Sequence, residues 1–176
     1  KFGNIAINLS ASQLRSTGFA RQFLDRLAAF DLPSRLVSVE VTEGVFLSSQ
    51  ADVVTANCHT LREANVSIAF DDFGTGFASL THLRDFPVDT IKIDRTFVAG
   101  LNKGGCSLAI VNAIVGLGNN LRLDVVAEGV ETQSQKEFLS AIGCRFAQGF
   151  LFGRPVSAED AERMLVRPEA IAHEAA

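Results

Sequence analysis

Short β-branched runs recur along this chain, and each alternates a bulky apolar residue with a small or polar one before a helical pattern follows. Ile5–Leu9, Val37–Val41, Val66–Phe70, Thr90–Ile93, Leu123–Ala127 and Arg145–Gln148 read as six strands. Repeated β-then-α units imply parallel strands joined by helical crossovers. Strands buried on both faces of an open doubly wound sheet read as continuous apolar runs, and these do not. Side chains change face at every strand residue. Ile5, Ile7 and Leu9 therefore oppose Ala6 and Asn8, and Val37, Val39 and Val41 oppose Ser38, Glu40 and Thr42. Val66, Ile68 and Phe70 oppose Ser67, Ala69 and Asp71; Ile91 and Ile93 oppose Thr90, Lys92 and Asp94; Leu123, Val125 and Ala127 oppose Asp124, Val126 and Glu128. The bulky face must meet the helices. The small, polar face needs a narrow and partly wet interior, which a barrel lumen provides. The expected fold is α/β, a TIM-like (β/α)8 barrel with six of its eight strands readable.

The helical patterns have recognisable ends. Ser10 caps a stripe of Leu14, Phe19, Phe23, Leu24, Leu27 and Phe30, which Leu32-Pro33 closes. Ser48–Glu63 and Cys106–Leu117 read as helices, with a shorter one around Ser79–Leu83. Thr132 caps a helix with Phe138, Leu139 and Ile142 inward, and Ser157 caps the last, through Leu165. The stretch 167–176 has no periodicity and reads as a frayed tail.

Composition narrows the function. A length of 176 residues fits one domain. The net charge of −4 excludes a broad basic groove, and with it a DNA or RNA polymer as partner, but leaves a small nucleotide open. Cys58, Cys106 and Cys144 show no metal-ligand spacing, and Cys58 and Cys106, both in helical patterns, read as buried apolar residues. No apolar run reaches membrane-span length, so a reduced, cytoplasmic setting is the default. His59, His82 and His173 fall in two helical patterns and the tail, and the chain has no Tyr, which argues against histidine- or tyrosine-dependent catalysis.

The polar residue of the inner face comes late in each strand: Asn8, Glu40, Asp71, Lys92, Glu128 and Gln148. Late means the C-terminal end, where barrels of this type build active sites. Glu40, Asp71, Asp72 and Glu128 at one mouth would repel one another and take up protons unless a cation joined them. Oxygen ligands of this kind suit Mg²⁺, Mn²⁺ or Ca²⁺, and adjacent Asp71-Asp72 could serve two ions, a recurrent arrangement in phosphoester hydrolysis. Lys92 either pairs with Asp94, two residues on along the same face, or orients a water or a phosphate oxygen. The loop Asp71-Asp72-Phe73-Gly74-Thr75-Gly76 lacks a Walker lysine and reads as a tight turn or a lid beside the acids.

Asn8-Leu9-Ser10, Glu40-Val41-Thr42-Glu43, Asp71-Asp72-Phe73-Gly74-Thr75-Gly76, Lys92-Ile93-Asp94, Ala127-Glu128-Gly129-Val130-Glu131-Thr132 and Gln148-Gly149-Phe150 together resemble the EAL domain family of bacterial cyclic di-GMP phosphodiesterases, in the family order. The resemblance implies a modified TIM barrel that hydrolyses cyclic di-GMP to linear pGpG with Mg²⁺ or Mn²⁺. It implies that Asn8, Glu40 and Asp71 hold one metal and that Asp71 and Asp72 reach a second. Lys92 would position the attacking water, and Glu128 would act as general base or second-metal ligand. Glu43 would brace the loop after Asp72, while Gln148, Asp94 and Glu131 are assigned to the substrate side.

The Glu-Ala-Leu tripeptide that names the family is absent from this sequence. In the family it lies on the second strand, upstream of where this chain starts. Residues 1–166 are therefore read as the C-terminal three-quarters of the barrel, with a degenerate domain as the alternative. An open barrel exposes two parallel edges, so a homodimer is expected. A sensory or diguanylate-cyclase-like (GGDEF) domain upstream, with any membrane anchor, completes the expected parent. Two competing functions remain: a cyclic di-GMP receptor or docking module without turnover, and another Mg²⁺-dependent barrel enzyme with Lys92 as base.

Overall fold

The computed structural model describes residues 4–45, 50–75, 83, 86–101 and 105–166. Within them β1 (Ile5–Asn8), β2 (Val37–Thr42), β3 (Ser67–Phe73), β4 (Thr90–Ile93), β5 (Asp124–Ala127) and β6 (Phe146–Ala147) form one parallel sheet. Their spatial order is their chain order, and that order decides the shape. A doubly wound sheet reverses at a switch point; this one never does. Right-handed crossovers then all lie on one face, and strand twist curls the sheet toward the other. The result is a curled half-barrel with its C-terminal strand ends at one mouth.

The helices are α1 (Ala11–Leu14), α2 (Phe19–Ala29), α3 (Ala51–Glu63), α4 (Arg95–Ala99), α5 (Cys106–Leu121), α6 (Gln133–Ala141) and α7 (Ala158–Val166). The core lies between them and the outer face of the sheet. Val37, Val39, Val41, Val66, Ile68, Phe70, Ile91, Ile93, Val125 and Ala127 are all buried there, as the alternation requires. Ile5 and Ile7 differ, at 52% and 37% exposed. They share the bulky face, but among the described residues β1 pairs only with β2, at the edge of the sheet.

Two helix readings change. The stripe from Leu14 to Phe30 is two helices, because Gly18 takes a left-handed φ of 81° and turns the chain between α1 and α2. Phe30, at the end of α2, is exposed. Helix α5 continues past Leu117 to Leu121 and stops where Arg122 adopts φ 59°. Within α5, a Cβ on Gly118 would stand 2.2 Å from Val125 Cγ2, so the missing side chain is what lets this helix approach β5. The short helix read around 79–83 lies outside the described residues apart from Leu83, which is buried, and so does the tail at 167–176.

Buried Asn57 on α3 ties the turn between α1 and α2 to the body of the fold. Its Oδ1 accepts from the Ala20 N–H at 3.2 Å, and its Nδ2 donates to the carbonyls of Leu14 and Ser16 at 2.7 and 3.0 Å. Of the cysteines, Cys58 and Cys144 are buried but Cys106 is exposed. Cys106 opens α5, off the buried stripe of Val111, Ile114, Val115 and Gly118, which corrects its reading as a buried residue. Burial pushes the Cys58 thiol up to about 12.

Asn57→Ala removes the partner of the Ala20 amide and the donor to the Leu14 and Ser16 carbonyls, the latter keeping the Phe19 N–H, and urea unfolding is expected to show a loss of about 2 kcal/mol. Between its ordinary value of 9.0 and about 12, Cys58 keeps in the folded state a proton that the unfolded chain releases. Its contribution is therefore intact below pH 9 and falls as pH rises through that window. Unfolding free energies measured from pH 8 to 11 should decline less steeply in Cys58→Ala than in the unsubstituted chain.

Candidate metal and phosphodiester site

Register brings the polar residues to the mouth. Asn8 lies opposite Glu40 across β1 and β2, Thr42 opposite Asp71 across β2 and β3, and the Glu128 N–H donates to the Ile93 carbonyl at 3.1 Å. Lys92 on β4 points into the lumen and is 5% exposed. Its Nζ stands 2.6 Å from Glu128 Oε1, 2.8 Å from Glu40 Oε1 and 3.1 Å from Asp71 Oδ1. Burial works against its charge, but hydrogen bonds to Glu128 and Glu40 and the charges of Glu128 and Asp71 outweigh burial, so its pKa stands above the ordinary value. Lys92 is a permanent ammonium.

Asp94 does not pair with Lys92, which corrects the simpler reading of that lysine. It caps α4 instead, accepting from the Thr96 backbone N–H at 2.9 Å and from the Thr96 hydroxyl. Burial raises the pKa of Asp94, yet those Thr96 hydrogen bonds, a hydrogen bond with Asp72 and the charge of Arg95 bring it below the usual carboxylate range. Asp72 moves the other way. Burial, the charge of Asp71 and the hydrogen bond with Asp94 raise it, against the pull of Lys92. Of that pair, Asp72 is the one whose protonated form is favoured. Glu128 is also raised, first by burial and then by Asp71 and Glu40, despite Lys92 beside it.

A β-bulge makes this possible. Strict alternation would send Asp72 to the face opposite Asp71. Instead the register between β3 and β4 shifts between Phe70 and Phe73, and Asp72 takes φ 52°. Asp71, Asp72 and Glu128 then each offer an oxygen within 4.8 Å of the others. Phe73 returns to the core, edge-on to Phe70 with ring centroids 5.6 Å apart.

The carboxylates of Glu40, Asp71 and Glu128 thus face one buried ammonium, with Asp72 within its field and Asp94 beside Asp72. Hard oxygen donors in negative excess, two of them with raised pKa values, fit a divalent cation of the Mg²⁺ or Mn²⁺ kind. Glu131 and Gln148 lie beside this centre, lining with Glu128, Arg95 and Phe150 a cavity of about 230 Å³. Asn8 is exposed at the end of β1. Glu43 begins a 3-10 turn, Glu43–Val45, but its side chain lies outside the described residues.

The EAL domain family model matches residues 1–155. The chain belongs to the EAL domain family. It is 45% identical over 157 residues to the bifunctional diguanylate cyclase/cyclic di-GMP phosphodiesterase MucR of Pseudomonas aeruginosa, covering 89% of this chain but 23% of MucR. Against the solved PaMucR phosphodiesterase in complex with c-di-GMP, the TM-score is 0.84 at 43% identity, over 90% of this chain and 64% of that one. The manganese/cy-diGMP complex of Klebsiella pneumoniae BlrP1 matches with a TM-score of 0.79 at 37% identity, over 86% of this chain and 39% of that one. The EAL fold explains why the acids gather where they do: strand order and register deliver them to one end.

Sequence reasoning missed Thr96 and Gln135. Gln135 was detectable, because Thr132 and Gln135 form the T-x-x-Q pattern of a capping box. Removing the ammonium with Lys92→Met strands three partly buried carboxylates. The expected result is a loss of about 3 kcal/mol in unfolding free energy, partly restored by Mn²⁺. An unchanged midpoint would mean that solvent already neutralises these acids.

Proposed function

We propose that the chain is the catalytic part of a phosphodiesterase that hydrolyses cyclic di-GMP to linear pGpG. The observation that carries this reading is the buried Lys92 ammonium ringed by Glu40, Asp71 and Glu128, with Asp72 adjoining. The MucR and BlrP1 likenesses, both with cyclic di-GMP complexes, support the substrate. Asn8, Glu40, Asp71 and Asp72 are the residues that would hold Mg²⁺ or Mn²⁺. Such a cation supplies charge neutralisation at a phosphodiester and a more acidic water at neutral pH.

The side chains divide the remaining work. Lys92 keeps its charge and fixes Glu128 and Asp71 in place; its ammonium also orients the attacking water. Glu128, raised by burial, accepts the proton of that water. The water oxygen bonds to phosphorus, the bond from phosphorus to the 3′ oxygen breaks, and the 3′ oxygen takes up a proton. The product carries a 5′ phosphate and a 3′ hydroxyl. Gln148, Glu131 and Asp94 are assigned to the substrate side, and the family resemblance assigns Glu43 to support of the loop after Asp72.

A homodimer belongs to the same reading. The family resemblance, and no single residue, supports it. The bifunctional MucR supports a diguanylate-cyclase domain in the parent protein, and a cytoplasmic setting fits a nucleotide second messenger. Among the described residues no helix is long and apolar enough to cross a membrane.

The test is chromatographic. The parent protein incubated with cyclic di-GMP and Mn²⁺ should yield pGpG, and Glu128→Gln should slow it by about 10²–10⁴-fold. Tight binding without product would identify a receptor. Neither binding nor product would overturn the assignment.

A further inference from the structure

The turn that follows β5, residues 128–132, carries Glu128 and Glu131 and must hold them against Lys92 and the adjoining cavity. Its backbone is fastened at several points. The Val130 N–H donates to the Gln148 carbonyl at 3.0 Å, and the Leu151 N–H donates to the Val130 carbonyl at 3.0 Å. A Cβ on Gly149 would stand 2.2 Å from the Val130 carbonyl oxygen, so the turns after β5 and β6 touch backbone to backbone. A Cβ on Gly129 would stand 2.6 Å from Arg95 Cβ, so the same turn also presses on the start of α4.

One side chain joins this turn to the far end of α4. Gln135 is 4% exposed. Its Oε1 accepts from the Glu131 N–H at 2.8 Å and the Thr132 N–H at 2.9 Å. Its Nε2 donates to the Val98 carbonyl at 3.1 Å. The two amides flank the N-terminus of α6 and so lack helical partners, while the carbonyl lies in the last turn of α4. An ordinary capping box needs only the acceptor half of this carboxamide. The donor half reaches a different helix, whose first residue follows the Asp94 cap beside Asp72.

We infer that Gln135 is a positioning residue for the phosphodiesterase site: its carboxamide bridges the turn bearing Glu128 and Glu131 to α4, and so fixes the two acids relative to Lys92 and Asp94. This rests on the phosphodiesterase reading above. Gln135 touches no reacting group itself, and it acts through the backbone of Glu131 and Thr132.

Gln135→Glu separates the two halves. A carboxylate keeps the acceptor for both amides but has no N–H for Val98. Gln135→Met removes both at similar volume. The measurements on the parent protein are hydrogen exchange at the Glu131 and Thr132 amides, Mn²⁺ affinity by calorimetry, and kcat and KM for cyclic di-GMP. In Gln135→Glu the two amides should stay protected while kcat falls about 10–100-fold, the usual range for lost outer support of a site, with KM within about threefold. Gln135→Met should lose amide protection and kcat together. Wild-type kcat in Gln135→Glu would show a helix cap and nothing more, and would overturn the proposal. Should the unsubstituted protein give no pGpG, the phosphodiesterase reading has failed separately. Mn²⁺ affinity then decides: weakening of about tenfold in both variants supports the bridge, and unchanged affinity overturns it.

Discussion

A single ammonium under three carboxylates sets the terms for the mouth of this barrel. Glu40 and Asp71 come from two strands, Glu128 from the turn after β5 and Lys92 from β4, yet their charged atoms meet within 3.1 Å of Lys92 Nζ. Burial works against the charge of the lysine, and the acids around it work for that charge. The ammonium in turn offsets the mutual repulsion of the acids. Strand order, register and the bulge at Asp72 can all be seen as conditions for this one cluster.

The cluster is under-compensated, and the structure deals with the excess unevenly. Hydrogen bonds from Thr96 lower Asp94, while burial and the charge of Asp71 raise Asp72. Glu128 is left with a raised pKa beside a cation, a combination that makes it both fixed and basic. Two acids on neighbouring strands thus behave differently because one, just past the end of β4, caps a helix and the other sits on a bulge of β3. A neutral side chain at any of these positions would change the ionisation of its neighbours as well as its own chemistry.

Much of this was legible in the residues. Alternation along Val37–Val41, Val66–Phe70 and Leu123–Ala127 reports a sheet with one apolar and one polar face, and the late polar residue of each strand reports the mouth. The departures have local causes. Alternation cannot reveal the bulge, because a register shift depends on the pairing of β3 with β4 and not on either strand alone. The break between α1 and α2 rests on one glycine inside an otherwise good helical stripe. Lys92 was given a neighbour in sequence, Asp94, when its partners are neighbours in space. Asn57 and Gln135 look like ordinary polar helix residues until the backbone groups that they satisfy are in view.

The bulge at Asp72 has an evolutionary consequence. Its φ of 52° lies where most side chains are strained and where glycine, asparagine and aspartate are tolerated best. The backbone and the carboxylate therefore filter substitutions independently. Glutamate keeps the charge and strains the turn; glycine relaxes the turn and deletes the charge; asparagine keeps the shape alone. Drift at this site has almost no neutral path, so a lineage that loses the acid can keep the fold only by settling on asparagine or glycine, and those two residues would be the lasting trace of an ancestor that once had aspartate there.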